Sequence, residues 1–252
     1  MHDPKRCKGF GDCITAVPGA ITRLNGQEVS IRRDLIDNPE MLRQVCISKA
    51  LTLSGQPYST DEILDEIIKD FPFYREQGGV TLSGGEPLAQ GNELTSLLLA
   101  LKQRKISVNV ETSLHVKWSD IARCLGLVGT FLVDLKHIDS AKFRTFTRGD
   151  TKLVTENLVR LTESGEKVIV RIPVIPDFNH TLAEMEMIID FASSLNGLKE
   201  VHFLPYHALG SEKYRMLGRE YPYRIYSRVP ETELYPYLEY ARAKGLKTQT
   251  GG

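Results

Sequence analysis

From Ser59 onward the chain alternates short apolar, β-branched runs with amphipathic segments of helical period, and this leaves few folds open to it. The runs at 78–83, 106–113, 130–136, 167–175 and 200–206 read as five strands, with starts 24 to 37 residues apart. Connections of that length are crossovers, so neighbouring strands run parallel and their carboxyl ends share one side of the sheet. Helices are expected at 89–104, 117–125, 140–164 with a break near Gly149, 181–195 and 231–244. Ser59-Thr60-Asp61-Glu62 forms a capping box ahead of an apolar face made by Ile63, Leu64, Ile67, Ile68 and Phe71. The fold class is α/β.

Residues 1–57 differ. They hold three of the four cysteines and several turn signals, among them Pro18-Gly19, Asn25-Gly26 and Asn38-Pro39, with only short apolar runs such as Val29-Ser30-Ile31. Such a loop-rich unit has too little core to stand without a staple or a neighbour. The expected division is therefore 1–57 and 58–252.

The strand ends carry the chemistry. The first runs into Ser83-Gly84-Gly85-Glu86, the second ends in Glu111-Thr112-Ser113, and the third in Asp134-Leu135-Lys136-His137. Arg171 lies within the fourth, and the fifth reaches Pro205-Tyr206-His207. Glycines allow a ligand close to the backbone. Carboxylates, cations and an imidazole converging at one mouth suit a zwitterionic ligand, and buried charges among them must be paired. Arg171 alternates with apolar neighbours and should point inward, where an ion pair with an adjacent strand is its structural reading.

GGVTLSGGEP, VETSLHVKW, FLVDLKH and HFLPYH, in this order, resemble the activating enzymes of glycyl radical enzymes, which are radical S-adenosylmethionine proteins related to the pyruvate formate-lyase activating enzyme. Lys69-Asp70-Phe71-Pro72-Phe73-Tyr74 resembles the family's lead-in to the first of these motifs. The resemblance implies a partial (β/α)6 barrel, here lacking its first strand on a count of five, preceded by a ferredoxin-like insert. By position it implies that Gly84, Gly85 and Glu86 hold the methionyl amino group, that Asp134, Leu135 and Lys136 meet the methionyl carboxylate and ribose, and that Arg171 and His207 complete the site. Glu111, Thr112 and Asp134, with the Leu132 carbonyl, would hold a monovalent cation, although a Glu stands where many members have Asp. The implied oxidoreductase activity is reductive cleavage of S-adenosylmethionine to a 5′-deoxyadenosyl radical that takes hydrogen from a glycine of a partner enzyme. The implied cofactors are S-adenosylmethionine and a [4Fe-4S] cluster, with flavodoxin or ferredoxin as electron donor.

The family's C-x3-C-x2-C cluster motif is not in these 252 residues. The expectation is an N-terminally truncated chain, inactive as it stands. A non-catalytic protein that binds S-adenosylmethionine or a partner is the alternative, and a Schiff-base lyase with Lys136 as nucleophile a distant one. The remaining cysteines resemble a decayed pair of C-x2-C-x2-C-x3-C-P runs. Cys7 and Cys13 fall in the first, with Phe10 and Val17 in two cysteine positions; Cys46 ends the second, where Ile36, Pro39 and Leu42 stand at the others. Because the last cysteine of each run serves the other cluster, Cys7, Cys13 and Cys46 would share one site, completed by a ligand such as Asp12 or by none. Cys124 reads as a core thiol.

Lys+Arg and Asp+Glu both number 32, so net charge is zero and no global field recruits nucleic acid or an anionic membrane. No apolar run approaches the ~18 residues of a membrane-spanning helix, and the first residues do not resemble a signal peptide, so a cytoplasmic location is expected.

Overall fold

Parallel strands joined by helical crossovers dominate the computed structural model, which describes residues 1–74, 78–221 and 228–251. The chain divides into two units, Met1–Pro57 with His207–Ser227, and Tyr58–Tyr206 with Arg228–Gly252. The expected boundary at 57/58 therefore needs an addition: a later segment belongs with the first unit.

In that unit, helix α1 (Asp12–Ala16) precedes the antiparallel strands β1 (Ile21–Arg23) and β2 (Val29–Ile31), and α2 (Pro39–Val45) follows. Asn38 caps α2 by accepting from the Met41 N–H, and Pro39 sits where a helix lacks a donor anyway. Among the described residues Ile21, Leu42 and Leu51 form its buried apolar cluster, with Ile36, Val17 and Cys46 among the side chains packed around them.

The second unit begins with α3 (Thr60–Lys69), whose capping box is closed: Ser59 Oγ accepts from the Glu62 N–H, and Glu62 Oε2 accepts from the Ser59 N–H at 2.7 Å. There follow β3 (Gly79–Leu82), α4 (Asn92–Gln103), β4 (Ser107–Thr112), α5 (Trp118–Ala122), β5 (Thr130–Asp134), α6 (Ser140–Thr147), α7 (Thr151–Glu163), β6 (Val168–Val174), α8 (Leu182–Ser194) and β7 (Glu200–Pro205). Helix α9 (Leu209–Met216) belongs to the first unit, and α10 (Tyr235–Ala243) and β8 (Lys247–Thr250) complete the second. The expected break near Gly149 is a real division into two helices. Arg148 turns into the left-handed region at φ +58°, and Asp150 caps α7 by accepting from the Lys152 N–H.

The sheet has order β3-β4-β5-β6-β7-β8, every neighbouring pair parallel. It has six strands, not the five counted from the sequence. β8 reads Lys-Thr-Gln-Thr and has no apolar residue to announce it; it pairs with β7 through Val201↔Thr248 and His202↔Gln249. Fully buried Phe131 and Phe203, with Val110, Val133, Val170 and Ile172, form the centre of the core. β3 is an edge strand with alternately exposed residues, and it lies close to β4: a Cβ on Gly79 would come within 2.2 Å of the Ser107 carbonyl oxygen.

Candidate functional site

The carboxyl ends of β3, β4 and β5, together with the middle of β6, are tied into one polar network. Arg171 is its hub. The register pairs Arg171 with Asp134, and the guanidinium donates from Nε to Asp134 Oδ1 at 2.9 Å and from Nη1 to Glu111 Oε1 at 2.7 Å. Nη2 lies 2.8 Å from the same Asp134 oxygen. Ser83 Oγ, in the loop after β3, donates to Glu111 Oε2 at 2.7 Å. One cation thus serves two carboxylates, which satisfies a guanidinium whose side chain is only 10% exposed.

The two carboxylates respond differently. Burial opposes the charged form of Glu111, but hydrogen bonds from Arg171 and Ser83 outweigh it and hold its carboxyl below the ordinary value. Asp134 is more deeply desolvated, and burial pushes its carboxyl up despite Arg171. Burial disfavours the charged Arg171 as well, yet its bonds to Glu111 and Asp134 raise it further.

Beside this network Glu86 links the β3 loop to β4. It accepts from Thr112 Oγ1 at 2.7 Å, from the Ser113 N–H at 3.0 Å and from Ser113 Oγ at 2.8 Å. Gly84 lies at φ +130°, a conformation costly for any side chain, and a Cβ on Gly84 or Gly85 would meet nothing within 4 Å. Both glycines are exposed, and among the described residues their backbone enters no hydrogen bond. They are an open platform beside a charged network.

Lys136 follows β5 half-buried. Its ammonium makes no hydrogen bond or ion pair among the described residues, though its charge favours the ionised form of Asp134. Nothing there supplies the desolvating pocket that a Schiff-base lysine needs. The Leu135 side chain is fully buried in the core and its N–H donates to the Arg171 carbonyl at 2.9 Å. His137 also turns away, fully buried, with Nδ1 accepting from the Asp139 N–H at 2.9 Å and Nε2 paired with Glu184, which Lys142 also meets. His207 falls in the first unit, exposed ahead of α9, and is not among the residues the sheet brings together.

The Arg171 guanidinium bonds to both Glu111 and Asp134, while the Thr112 hydroxyl donates to Glu86 and accepts from the Leu114 N–H. Arg171 engages each carboxylate through a single oxygen, Asp134 Oδ1 and Glu111 Oε1.

Asn179, which nothing in the strand-end pattern singled out, is fully buried and fully used. Its Oδ1 accepts from the Ile175 N–H at 2.8 Å, and its Nδ2 donates to the carbonyls of Lys136 at 2.8 Å and Pro173 at 2.7 Å. It ties the loop bearing Lys136 to the end of β6. The sequence signal was an Asn directly after the Pro-Asp-Phe turn closing that strand, the residue type that bonds nearby backbone.

In the first unit Cys7, Phe10 and Cys13 of the first run and Cys46 at the end of the second line one small pocket of about 30 Å³ with Asp12. Burial, then the neighbouring Cys46 and Cys7, push the Cys13 thiol up. Among the described residues no group of three or more His, Cys, Asp or Glu side chains is arranged to hold a metal ion. The three thiols expected to share one site, and Asp12, do line one pocket. Cys124 is buried in the turn after α5, its thiol pushed up to about 11 by burial.

A parallel sheet with polar groups clustered at its carboxyl ends matches the partial barrel of radical S-adenosylmethionine proteins, and the comparison with known proteins supplies the class. A family described as a 4Fe-4S single cluster domain matches residues 40–145. The isethionate sulfite-lyase activating enzyme of Nitratidesulfovibrio vulgaris is 36% identical, over 88% of this chain and 74% of its own length. The benzylsuccinate synthase activating enzyme of Thauera aromatica is 34% identical, over 99% of this chain and 78% of its own. Among solved structures, a domain of a pyruvate-formate lyase-activating enzyme from Bacteroides vulgatus superposes with a TM-score of 0.58 at 26% identity, covering 69% of this chain and 99% of that one. The chain belongs to the glycyl radical enzyme activating enzymes. No helix among the described residues is long and apolar enough to cross a membrane.

Proposed function

We propose that the strand ends of the second unit hold S-adenosylmethionine for activation of a glycyl radical enzyme. The observation that carries this reading is the Ser83–Glu111–Arg171–Asp134 network beside the exposed Gly84-Gly85 platform, with the uncommitted Lys136 ammonium nearby. When bound and reduced by one electron, S-adenosylmethionine supplies a 5′-deoxyadenosyl radical able to take hydrogen from a glycine of the partner.

In this reading the free carbonyls of Gly84 and Gly85 accept from the methionyl ammonium, and Glu86 sets the negative potential behind them. Lys136 meets the methionyl carboxylate, while Asp134 offers its remaining acceptor capacity to a ribose hydroxyl. Arg171 positions Asp134 and Glu111 and keeps both charged groups ordered before the ligand arrives. Such preorganisation is how this kind of site contributes, since it performs no acid–base step of its own. No reductive step is assigned to these residues, because they include no C-x3-C-x2-C run. Binding without turnover is therefore a second reading of the same site. We place the protein in the cytoplasm, with a flavodoxin- or ferredoxin-like electron donor and no nucleic-acid partner, a choice supported by the zero net charge.

Equilibrium dialysis with labelled S-adenosylmethionine tests the site apart from turnover. Saturable one-to-one binding is expected, weakened about tenfold by Lys136→Ala through loss of one charge-assisted hydrogen bond. Absence of saturable binding, or equal affinity in the variant, contradicts the assignment.

A further inference from the structure

The first unit contains a cavity of about 330 Å³, within the size range of small-molecule sites. Its apolar wall includes Ile36, Pro39 and Leu42, the three residues standing at cysteine positions of the second decayed run. Leu42 and Ile36 thus serve both the small core of this unit and the wall of the cavity. Leu51 extends the same wall.

The rim is cationic. Arg33, Arg43 and Arg219 all line the cavity. Arg33 spends Nη2 on the Leu217 carbonyl at 2.6 Å, and Arg43 pairs with exposed Glu40 at 3.2 Å. The Arg219 guanidinium, by contrast, makes no hydrogen bond or ion pair among the described residues. No Asp or Glu lines the cavity itself, and of the three guanidinium groups only Arg43 has a carboxylate partner among the described residues. Apolar walls beneath a guanidinium rim match a ligand with a hydrocarbon body and one anionic head, and guanidinium forks suit carboxylate or sulfonate oxygens.

We propose that this cavity is a binding site for a small amphipathic anion, with the hydrocarbon body against Ile36, Pro39 and Leu42 and the head at Arg219. The site is separate in kind from the strand-end site, which takes a zwitterion on polar groups.

Isothermal titration of the full chain with octanoate tests it, with 1-octanol and octylamine as controls. Octanoate is expected to bind saturably at one site, at least about tenfold more tightly than either control. Arg219→Glu, on an exposed position, should reduce its affinity by about tenfold or more. Ile36→Trp should block the cavity, with thermal unfolding measured alongside to show that the variant folds. Absence of saturable binding, equal binding of the neutral or cationic chain, or undiminished binding to Arg219→Glu would each overturn the proposal.

Discussion

Arg171 shows how one buried side chain organises a site. Two carboxylates on neighbouring strands would repel each other at a strand-end mouth, and the guanidinium between them makes the arrangement stable. A consequence can be read in acid. The Glu111 carboxyl is held below its ordinary value, so the stability it contributes is present above the unfolded value of about 4.3 and lost as pH falls through the lower folded value. Asp134, raised by burial, contributes with the opposite sign, and Glu111→Gln also removes a negative neighbour that helps raise it. The variant should be on the order of 1 kcal/mol less stable at pH 6, and the difference should shrink as pH falls below the unfolded value. Urea unfolding followed by the fluorescence of Trp118, the single tryptophan, measures this in the sheet-bearing unit. Asn179→Ala should cost roughly 2–4 kcal/mol in the same assay, because three backbone groups lose their partner in a fully buried place. A loss below 1 kcal/mol would mean that water replaces the amide.

At the scale of elements, legibility followed burial. The strands at 79–82, 107–112, 130–134, 168–174 and 200–205 all lie inside the expected runs, because β-branched residues at their buried positions write the strand into the sequence. β8 escaped notice for the converse reason: its hydrogen bonds come from β7, and its polar side chains record nothing of that pairing. Helix α9 has no buried residue and was missed likewise. Within the site, Glu86, Glu111, Asp134 and Arg171 were legible as strand-end polar residues. Which carboxylate takes which donor depends on register and loop geometry, which no local pattern encodes, so Asn179 was overlooked. Gly79 is a further case in which the reason lies across the sheet. Gly79→Ala should destabilise by roughly 1–3 kcal/mol, because its Cβ meets the Ser107 backbone, whereas Gly85→Ala, open to solvent, should stay within about 0.5 kcal/mol. Equal effects at the two positions in denaturant titrations would show that β3 can move away from β4.

For the molecule as a whole, the two units present different chemistries. The sheet unit offers a polar, preorganised strand-end site, and the first unit offers apolar and thiol-lined hollows where ferredoxin-like cysteine positions fall. Membership among glycyl radical enzyme activating enzymes explains the first and leaves the second open to another use. The central claim is that S-adenosylmethionine binds at the carboxyl ends of β3 to β6. Hydrogen–deuterium exchange of the full chain with and without S-adenosylmethionine tests it most directly, because exposed backbone such as Gly84-Gly85 exchanges freely until something covers it. Slowed exchange confined to peptides spanning 83–88 and 134–137 is the predicted result; protection found only in peptides from 1–57, or none at saturating ligand, would contradict it.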